Sequence, residues 1–206
     1  MNYVIGVDFD NTIVSYDDIL HKVAVERGLI DPPQKKSKKQ IRDSIRQLPN
    51  GEIEWQRLQA VIYGSRMGEA QLIEGVQNFF QSCRQNKVKA YVVSHKTRYS
   101  NLGETKIDLR EAALNWMEKN KFLLGNSLIF PKETVYFEST SKEKVERIGE
   151  LHCTHFIDDL EETFHENFFP PNVEKFLFDP HRLHPSQSEI KTVTHWNEIY
   201  QYFFGT

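Results

Sequence analysis

The sequence predicts an α/β protein in which a Rossmann-like parallel sheet is flanked by helices and carries a small helical insertion. Short apolar runs alternate with amphipathic stretches along most of the chain, which is the pattern of repeated strand–helix–strand units. Residues 3–7 are almost wholly apolar, as expected for a strand buried on both faces of a parallel sheet. Several predicted strands end in acidic or hydroxyl side chains, which favours a polar site at one edge of the sheet.

The first predicted strand is followed by an insertion over residues 16–70. Its apolar residues recur at helical spacing, and Pro32-Pro33 and Pro49-Asn50-Gly51 separate the helical stretches. We therefore assign residues 1–15 and 71–206 to a core domain and residues 16–70 to a small helical insertion.

The remaining elements of the core follow in alternation after the insertion. Thr140 with Glu143 is the pattern of a capping box and predicts a helix start there. Residues 180–187 are polar and predict a loop. The predicted strands are residues 3–7, 90–93, 128–130, 135–137, 154–157 and 175–178, and residues 196–204 are predicted to form a terminal helix.

Composition limits the class of protein. The 206 residues are 39% hydrophobic and 27% charged, which suits one globular domain with an insertion, and the formal net charge of −3 favours neither nucleic acid nor an anionic membrane as partner. Cys83 and Cys153 lie in apolar runs, which favours buried thiols in a reducing compartment. We find no signal-peptide pattern, and no stretch approaches the about 18 consecutive apolar residues of a membrane span. We therefore expect a cytoplasmic protein.

The polar residues at the strand ends form the candidate site. Asp8 and Asp10 follow the first strand, Ser94 follows another, and Asp158-Asp159 ends a third. Ligands of parallel sheets bind at the carboxyl ends of strands, so these side chains are expected to converge. Each motif alone is more typical of a turn, but converging carboxylates repel one another unless a cation neutralises them, and oxygen ligands suit Mg²⁺. An aspartate can also attack phosphorus, and a second carboxyl group can donate a proton.

Two lysines near the start of the helix before Asp158 could hold a phosphate group and offset the charge of Asp8. Lys144 lies four and seven residues before Ile148 and Leu151, on the stripe predicted to face the sheet. Lys142 is nearer the helix start but points away from that stripe. We favour Lys144 and keep Lys142 as the alternative.

In this order the motifs resemble those of the haloacid dehalogenase (HAD) superfamily, on its phosphatase side. Residues 8–12, Asp-Phe-Asp-Asn-Thr, match its D-x-D-x-T motif. The strand before Ser94 matches the second motif, a lysine at a helix start matches the third, and residues 156–159, Phe-Ile-Asp-Asp, match the fourth. The resemblance extends from residue 3 to about residue 178.

The resemblance implies a role for each matching residue. Asp8 would be the nucleophile, and Asp10 the general acid and then the base, so that Asp8, Asp10 and Lys144 form the catalytic set. Thr12 would steady the loop near Asp10, and Ser94 would donate to a phosphoryl oxygen. The implied phosphate-binding residues are Thr12, Ser94, Lys144 and the alternative Lys142, and the implied metal ligands are Asp8, Asp10 (through its carbonyl), Asp158 and Asp159. Glu161 or Glu162 would add an outer contact, and His95, Lys96 and Arg98 are candidates on the substrate side or, equally, loop residues.

The resemblance also implies the type of reaction. Dehalogenases of the superfamily lack the carboxylate that Asp10 supplies, because a departing halide needs no proton, and the Lys-Thr-Gly-Thr run of ion pumps is absent here. The implied activity is Mg²⁺-dependent hydrolysis of a phosphate monoester through an aspartyl-phosphate, with a small phosphorylated metabolite as partner. The alternatives are a phosphotransferase that uses the same intermediate and a non-catalytic binding or regulatory protein. The resemblance also implies that residues 16–70 form a small helical cap, an insertion that in this superfamily excludes water from the site and helps to select the substrate. The basic run of the cap at residues 35–39 is better explained as a solvated face than as a substrate contact.

Overall fold

Six strands form a single sheet, and all five pairs of neighbouring strands are parallel in this computed structural model. The structure describes residues 3–32, 38–100, 102, 106–122, 131–185 and 187–205. The predicted parallel α/β fold is confirmed. The sheet strands are β1 Val4–Val7, β4 Lys89–His95, β5 Val135–Glu138, β6 His155–Asp158, β7 Glu174–Phe178 and β8 Ile190–Val193. Their order across the sheet is β5-β4-β1-β6-β7-β8, and β2 Val14–Ser15 pairs with β3 Gln71–Leu72 in a separate small sheet.

Helices lie between most of these strands, with three in succession between β2 and β3 and none in the described residues between β7 and β8. They are α1 Asp17–Glu26, α2 Lys38–Arg46, α3 Gly51–Tyr63, α4 Val76–Gln85, α5 Leu109–Lys119, α6 Ser141–Glu150, α7 Glu161–Phe164 and α8 Trp196–Phe204, with 3₁₀ turns at Met67–Glu69 and Lys132–Thr134. The capping box predicted at Thr140 and Glu143 starts α6, which packs on β4 and β5. None of the helices among the described residues is long and apolar enough to cross a membrane.

The strand register places the candidate residues at one edge of the sheet. Val7, the last residue of β1, is aligned with Val92 of β4 on one side and with Ile157 of β6 on the other. β1 and β6 therefore end within one residue of each other, while β4 continues three residues further, to His95, beside β5. All three ends lie at the carboxyl-terminal edge, where parallel sheets bind ligands.

The core that supports this edge is apolar and tightly packed. One cluster joins buried residues of β4, α6, β6 and β7, including Val93, Ile148, Phe156 and Leu177. A Cβ atom at Gly6 would lie 2.5 Å from Cδ2 of its register partner Phe156, so the Phe156 ring can lie over β1 only because position 6 lacks a side chain.

The described residues divide into two compact units. The first comprises Met1–Val14, Leu72–Lys96 and Glu118–Thr206 and holds the six-stranded sheet, and the second comprises Ser15–Gln71 and Thr97–Met117. The sequence assigned only residues 16–70 to the insertion, whereas the structure groups Thr97–Met117 with it. Local contacts explain this grouping, because the Trp116 indole donates to the Ala70 carbonyl at 2.9 Å and Leu109 lies against Gly64.

The sheet extends beyond the last predicted strand, and one predicted strand lies outside the described residues. The sequence placed the last strand at residues 175–178, but β8 continues the sheet beyond it and pairs with β7. The predicted strand at residues 128–130 lies outside the described residues, as do residues 35–37 of the basic run, while Lys38 and Lys39 begin α2.

Candidate active site

The loop after β1 turns sharply and carries two carboxyl groups, those of Asp8 and Asp10, at the carboxyl-terminal edge of the sheet. The backbone N–H of Asp8 donates to the Ile157 carbonyl at 2.8 Å, which continues the ladder between β1 and β6. Asn11 has a φ of 59°, a left-handed conformation that asparagine tolerates, and its N–H donates to the Val14 carbonyl at 2.8 Å. Asp8 is buried, whereas the Asp10 side chain keeps 20% of its surface exposed.

A single buried lysine joins the ends of β1 and β6. Lys144 Nζ donates to Oδ1 of Asp8 at 2.7 Å and to Oδ2 of Asp158 at 2.6 Å, and its side chain is only 3% exposed. Lys142 points to solvent with 66% of its side chain exposed, and its Nζ lies 3.6 Å from Oε1 of Glu146. The structure thus brings Lys144, and not Lys142, to the acidic residues.

The carboxylates of Asp8, Asp158 and Asp159 form a group that suits a hard cation. One oxygen from each lies within 4.8 Å of the other two, and Asp8 and Asp158 are buried. Asp158 is further fixed because its Oδ1 accepts the N–H of Leu160 at 3.0 Å. An all-oxygen donor set with water access at one member fits Mg²⁺, which takes one or two carboxylates together with waters and substrate oxygens.

The electrostatics of the site also fit a cation. Burial raises the pKa of Asp8 to about 7, and Asp158 and Asp10 add to the rise although Lys144 opposes it. Burial disfavours the charged form of Lys144, yet the carboxylates of Asp158 and Asp8 raise its pKa overall. Lys144 therefore stays charged, and its charge does not fully compensate the surrounding carboxylates.

A second buried lysine holds the other carboxylate of the loop. Lys96 Nζ donates to Oδ1 of Asp10 at 3.0 Å and to Oδ2 at 2.8 Å, and the lysine side chain is 3% exposed. The sequence placed Lys96 only among substrate-side candidates. The one available signal was its position two residues after Ser94, which puts both side chains on the same side of an extended strand.

The two predicted hydroxyl residues are both buried. Ser94 is the second-last residue of β4 and has 1% of its surface exposed. The backbone carbonyl of Thr12 accepts a hydrogen bond from the Trp196 indole at 2.9 Å, which ties the loop to α8. Within the described part of the chain, Thr12 Oγ1 is buried without a hydrogen-bond partner, and a polar ligand or water would satisfy such an atom.

The other candidates have partners of their own. The His95 ring contacts the Ser139 carbonyl at 3.1 Å and is exposed, and Arg98 pairs with Asp108 at 2.7 Å. Glu161 contacts His165 at 3.1 Å, and Glu162 is exposed. None of these contacts joins the described residues of this group to the carboxylates of Asp8 or Asp158.

Comparison of sequences finds no matching family description and no matching curated protein. Comparison of structures finds proteins that share this fold over nearly the whole chain. A HAD family hydrolase from Deinococcus radiodurans, solved with bound phosphate and sodium, is 14% identical with a TM-score of 0.60, and the match covers 98% of this chain and 95% of that one. The chain has the haloacid dehalogenase fold.

Two further structures with the HAD fold bear on the site. A protein described as the HAD-hydrolase YfnB from Bacillus subtilis, bound to magnesium, is 12% identical with a TM-score of 0.55 over 99% of this chain and 100% of that one. A protein described as a phosphoglycolate phosphatase from Lactobacillus delbrueckii subsp. bulgaricus is 15% identical with a TM-score of 0.56 over 100% of both chains. The fold is therefore shared with hydrolases, and the chemistry must be argued from the residues present here.

Proposed function

We propose that this protein is a Mg²⁺-dependent phosphohydrolase that cleaves a phosphate monoester through an aspartyl-phosphate at Asp8. The observation that carries the proposal is the arrangement around Asp8, whose Oδ1 accepts from Lys144 while that lysine also binds Asp158. A second carboxyl group, that of Asp10, follows two residues later and remains partly open to solvent. The nucleophile, its counter-ion and the proton donor thus lie within the unit that holds the six-stranded sheet.

In the first half-reaction, an oxygen of Asp8 attacks the phosphorus of the ester. The new oxygen–phosphorus bond forms as the bond to the leaving oxygen breaks, and Asp10 donates the proton that converts the leaving oxygen to a hydroxyl group. Lys144 keeps Asp8 oriented and partly neutralises it, and the Ser94 hydroxyl can donate to a phosphoryl oxygen.

In the second half-reaction, a water molecule attacks the phosphorus of the aspartyl-phosphate. Asp10, now deprotonated, accepts a proton from that water, and the bond between phosphorus and the Asp8 oxygen breaks. Inorganic phosphate leaves, Asp8 is again a carboxylate, and Asp10 is again protonated. The cycle consumes one ester and one water and yields an alcohol and phosphate.

Asp8, Asp158 and Asp159 would hold the metal with their carboxylates, and Asp10 with its backbone carbonyl. When bound, Mg²⁺ supplies positive charge that stabilises the phosphoryl oxygens during transfer. The surplus of carboxylates over lysine at the site supports this assignment. Burial, with Asp158 and Asp10 adding to its effect, raises the pKa of Asp8 to about 7, although Lys144 lowers it, so a further positive charge would stabilise the carboxylate. The bound phosphate and bound magnesium named for two structures of the same fold are consistent with it.

The expected substrate is a small phosphorylated metabolite, and residues 16–70 would form a cap that helps to select it. A cytoplasmic location is supported by Cys83 and Cys153, which are buried free thiols whose pKa burial raises to about 12. A phosphotransferase would use the same first half-reaction, and it would be recognised by transfer to an added acceptor alcohol.

The experiment that tests the proposal is a screen of sugar phosphates, nucleotides and phospho-amino acids, with phosphate release measured in Mg²⁺ and in chelator. We expect metal-dependent release that Asp8→Asn lowers by about 1,000-fold or more. Glu189→Gln, an exposed position in the same unit, is the matched control and should keep native activity. Metal-independent release, or normal turnover by Asp8→Asn, would exclude this mechanism.

A further inference from the structure

Lys96 is a buried cation that the reaction scheme above does not use. Its ammonium group donates to both oxygens of Asp10, at 3.0 and 2.8 Å, and its side chain is only 3% exposed. The ammonium also lies 5.7 Å from the centre of the Phe9 ring. A buried lysine is costly unless it is paired, so this ion pair contributes to the local structure of the loop.

The position of Lys96 is set by the strand that carries Ser94. The backbone N–H of Lys96 donates to the Glu138 carbonyl at 2.8 Å, which extends the pairing of β4 with β5 by one residue. Side chains alternate along an extended strand, so Ser94 and Lys96 share a side and His95 takes the other. His95 is accordingly exposed, while Ser94 and Lys96 are both buried.

The ion pair restricts Asp10 without closing it off. Contacts from the ammonium group to both oxygens hold the Asp10 carboxyl group against Lys96, because swinging the group about the Cα–Cβ bond would break at least one of them. The lysine is almost fully buried while 20% of the Asp10 side chain is exposed, so the lysine supports the carboxylate from the protein side and leaves the solvent side open. An acid that must meet a leaving oxygen needs this combination of fixed orientation and open access.

We propose that Lys96 is a positioning residue that holds Asp10 in the orientation for proton exchange with the leaving group. This inference rests on the proposed function and assigns Lys96 a role through Asp10 and not through the phosphoryl group. The two buried lysines then have separate roles, because Lys96 orients Asp10 and Lys144 orients Asp8.

If Lys96 positions Asp10 as the proton donor, the effect of replacing Lys96 should depend on how much the leaving group needs that proton. An alkyl phosphate has a poor leaving group that needs the proton from Asp10, whereas the leaving group of p-nitrophenyl phosphate departs as the stable p-nitrophenolate anion without a proton. The value of kcat/KM reports the step in which the leaving group departs. We expect Lys96→Met to lower kcat/KM for an alkyl phosphate by about 100-fold, and to lower it for p-nitrophenyl phosphate by less than about tenfold.

The experiment is a double-mutant cycle between Lys96→Met and Asp10→Asn, measured on both esters with Mg²⁺ present. If Lys96 acts through Asp10, adding Lys96→Met to Asp10→Asn causes no further loss on either ester. Lys96→Arg, which keeps the charge, should restore part of the alkyl phosphate activity. Lys89→Met, on an exposed residue at the far end of the same strand, is the matched control and should behave as the native protein.

Three results would overturn the inference while the native protein remains an active phosphatase. The first is an equal loss of kcat/KM by Lys96→Met on both esters. The second is a double variant whose loss of kcat/KM is the product of the two single losses, and the third is no loss of kcat/KM by Lys96→Met. Should Lys96→Met not fold, the same cycle with Lys96→Arg applies, and a loss by that variant in the Asp10→Asn background contradicts the role. Absence of metal-dependent turnover by the native protein would instead overturn the proposed function, and this inference with it.

Discussion

Lys144 Nζ lies 2.7 Å from Oδ1 of Asp8, a residue 136 positions earlier in the chain. The same ammonium lies 2.6 Å from Asp158, so a single side chain of α6 ties the ends of β1 and β6 together. The three groups are almost fully buried, which makes their charges interdependent. Removing any one of them changes both the stability of the fold and the chemistry of the site.

The first prediction concerns the lysine itself. Lys144→Met leaves Asp8 and Asp158 buried without their counter-ion, and breaking a buried ion pair in this way costs about 3–5 kcal/mol of unfolding free energy. Urea unfolding in chelator measures this loss. Lys142→Met is the matched control two residues away, and it should stay within about 0.5 kcal/mol of the native protein because its side chain is exposed. Comparable losses in the two variants would contradict the account.

The second prediction is a pH dependence of stability in metal-free protein. Burial, with Asp158 and Asp10 adding to it, raises the pKa of Asp8 to about 7 from its ordinary value of 3.8. Between these two values the folded protein keeps a proton that the unfolded chain has released. The Asp8 contribution to the free energy of unfolding therefore decreases as pH rises from about 4 to about 7.

Asp8→Asn isolates this contribution because an amide does not titrate in that range. We expect the native protein to lose stability relative to Asp8→Asn as pH rises, with the change complete above about pH 8. The measurement is urea unfolding of both proteins at several pH values in chelator. A difference between them that stays constant with pH would show that Asp8 has an unshifted pKa.

Much of this arrangement could be read from the sequence, because it depends on short-range patterns. The apolar runs before Asp8 and Asp158 predicted the two buried strands, and the spacing of Lys144 from Ile148 predicted which lysine faces the sheet. The Thr140 capping box fixed the start of that helix. These features are local, so a single sequence suffices to see them.

Other features depend on contacts between distant segments. The pairing of Lys96 with Asp10 spans 86 positions, and a lysine at a strand end gives no sign of whether it will be buried. The strand β8 at Ile190–Val193 is short, with a polar exposed residue at Lys191, so the sequence shows little to distinguish it from the preceding loop. The grouping of Thr97–Met117 with Ser15–Gln71 depends on tertiary contacts such as that of Trp116 with Ala70.

The third prediction is that Mg²⁺ stabilises the folded protein. A cation that binds only the folded state adds about 2.7 kcal/mol to the unfolding free energy at 100 times its dissociation constant. Asp159→Asn removes the most exposed of the three clustered carboxylates and should abolish most of this gain, while Glu189→Gln should keep it. The gain is measured as the increase in unfolding midpoint with added Mg²⁺, and an equal increase in Asp159→Asn would place the ion elsewhere.

The fourth prediction concerns the support of the loop by α8. Gly75 has a φ of +88°, and a Cβ there would lie 2.7 Å from Cβ of Trp196, whose indole binds the Thr12 carbonyl. Gly75→Ala combines backbone strain with overpacking and should cost about 2–4 kcal/mol. Gly28 has a φ of +67° with open space around it, so Gly28→Ala should lose only about 1 kcal/mol from strain. Equal losses in urea unfolding would show that the contact with Trp196 is unimportant.

The most direct test of the central claim is chemical capture of the intermediate on Asp8. The protein is mixed with p-nitrophenyl phosphate and Mg²⁺, quenched in acid within the first turnover, reduced with borohydride and digested for mass spectrometry. An acyl phosphate is reduced to an alcohol, so the account predicts homoserine at position 8 only when both substrate and metal are present. Substrate cleavage with Asp8 unmodified, or homoserine at a different aspartate, would contradict it.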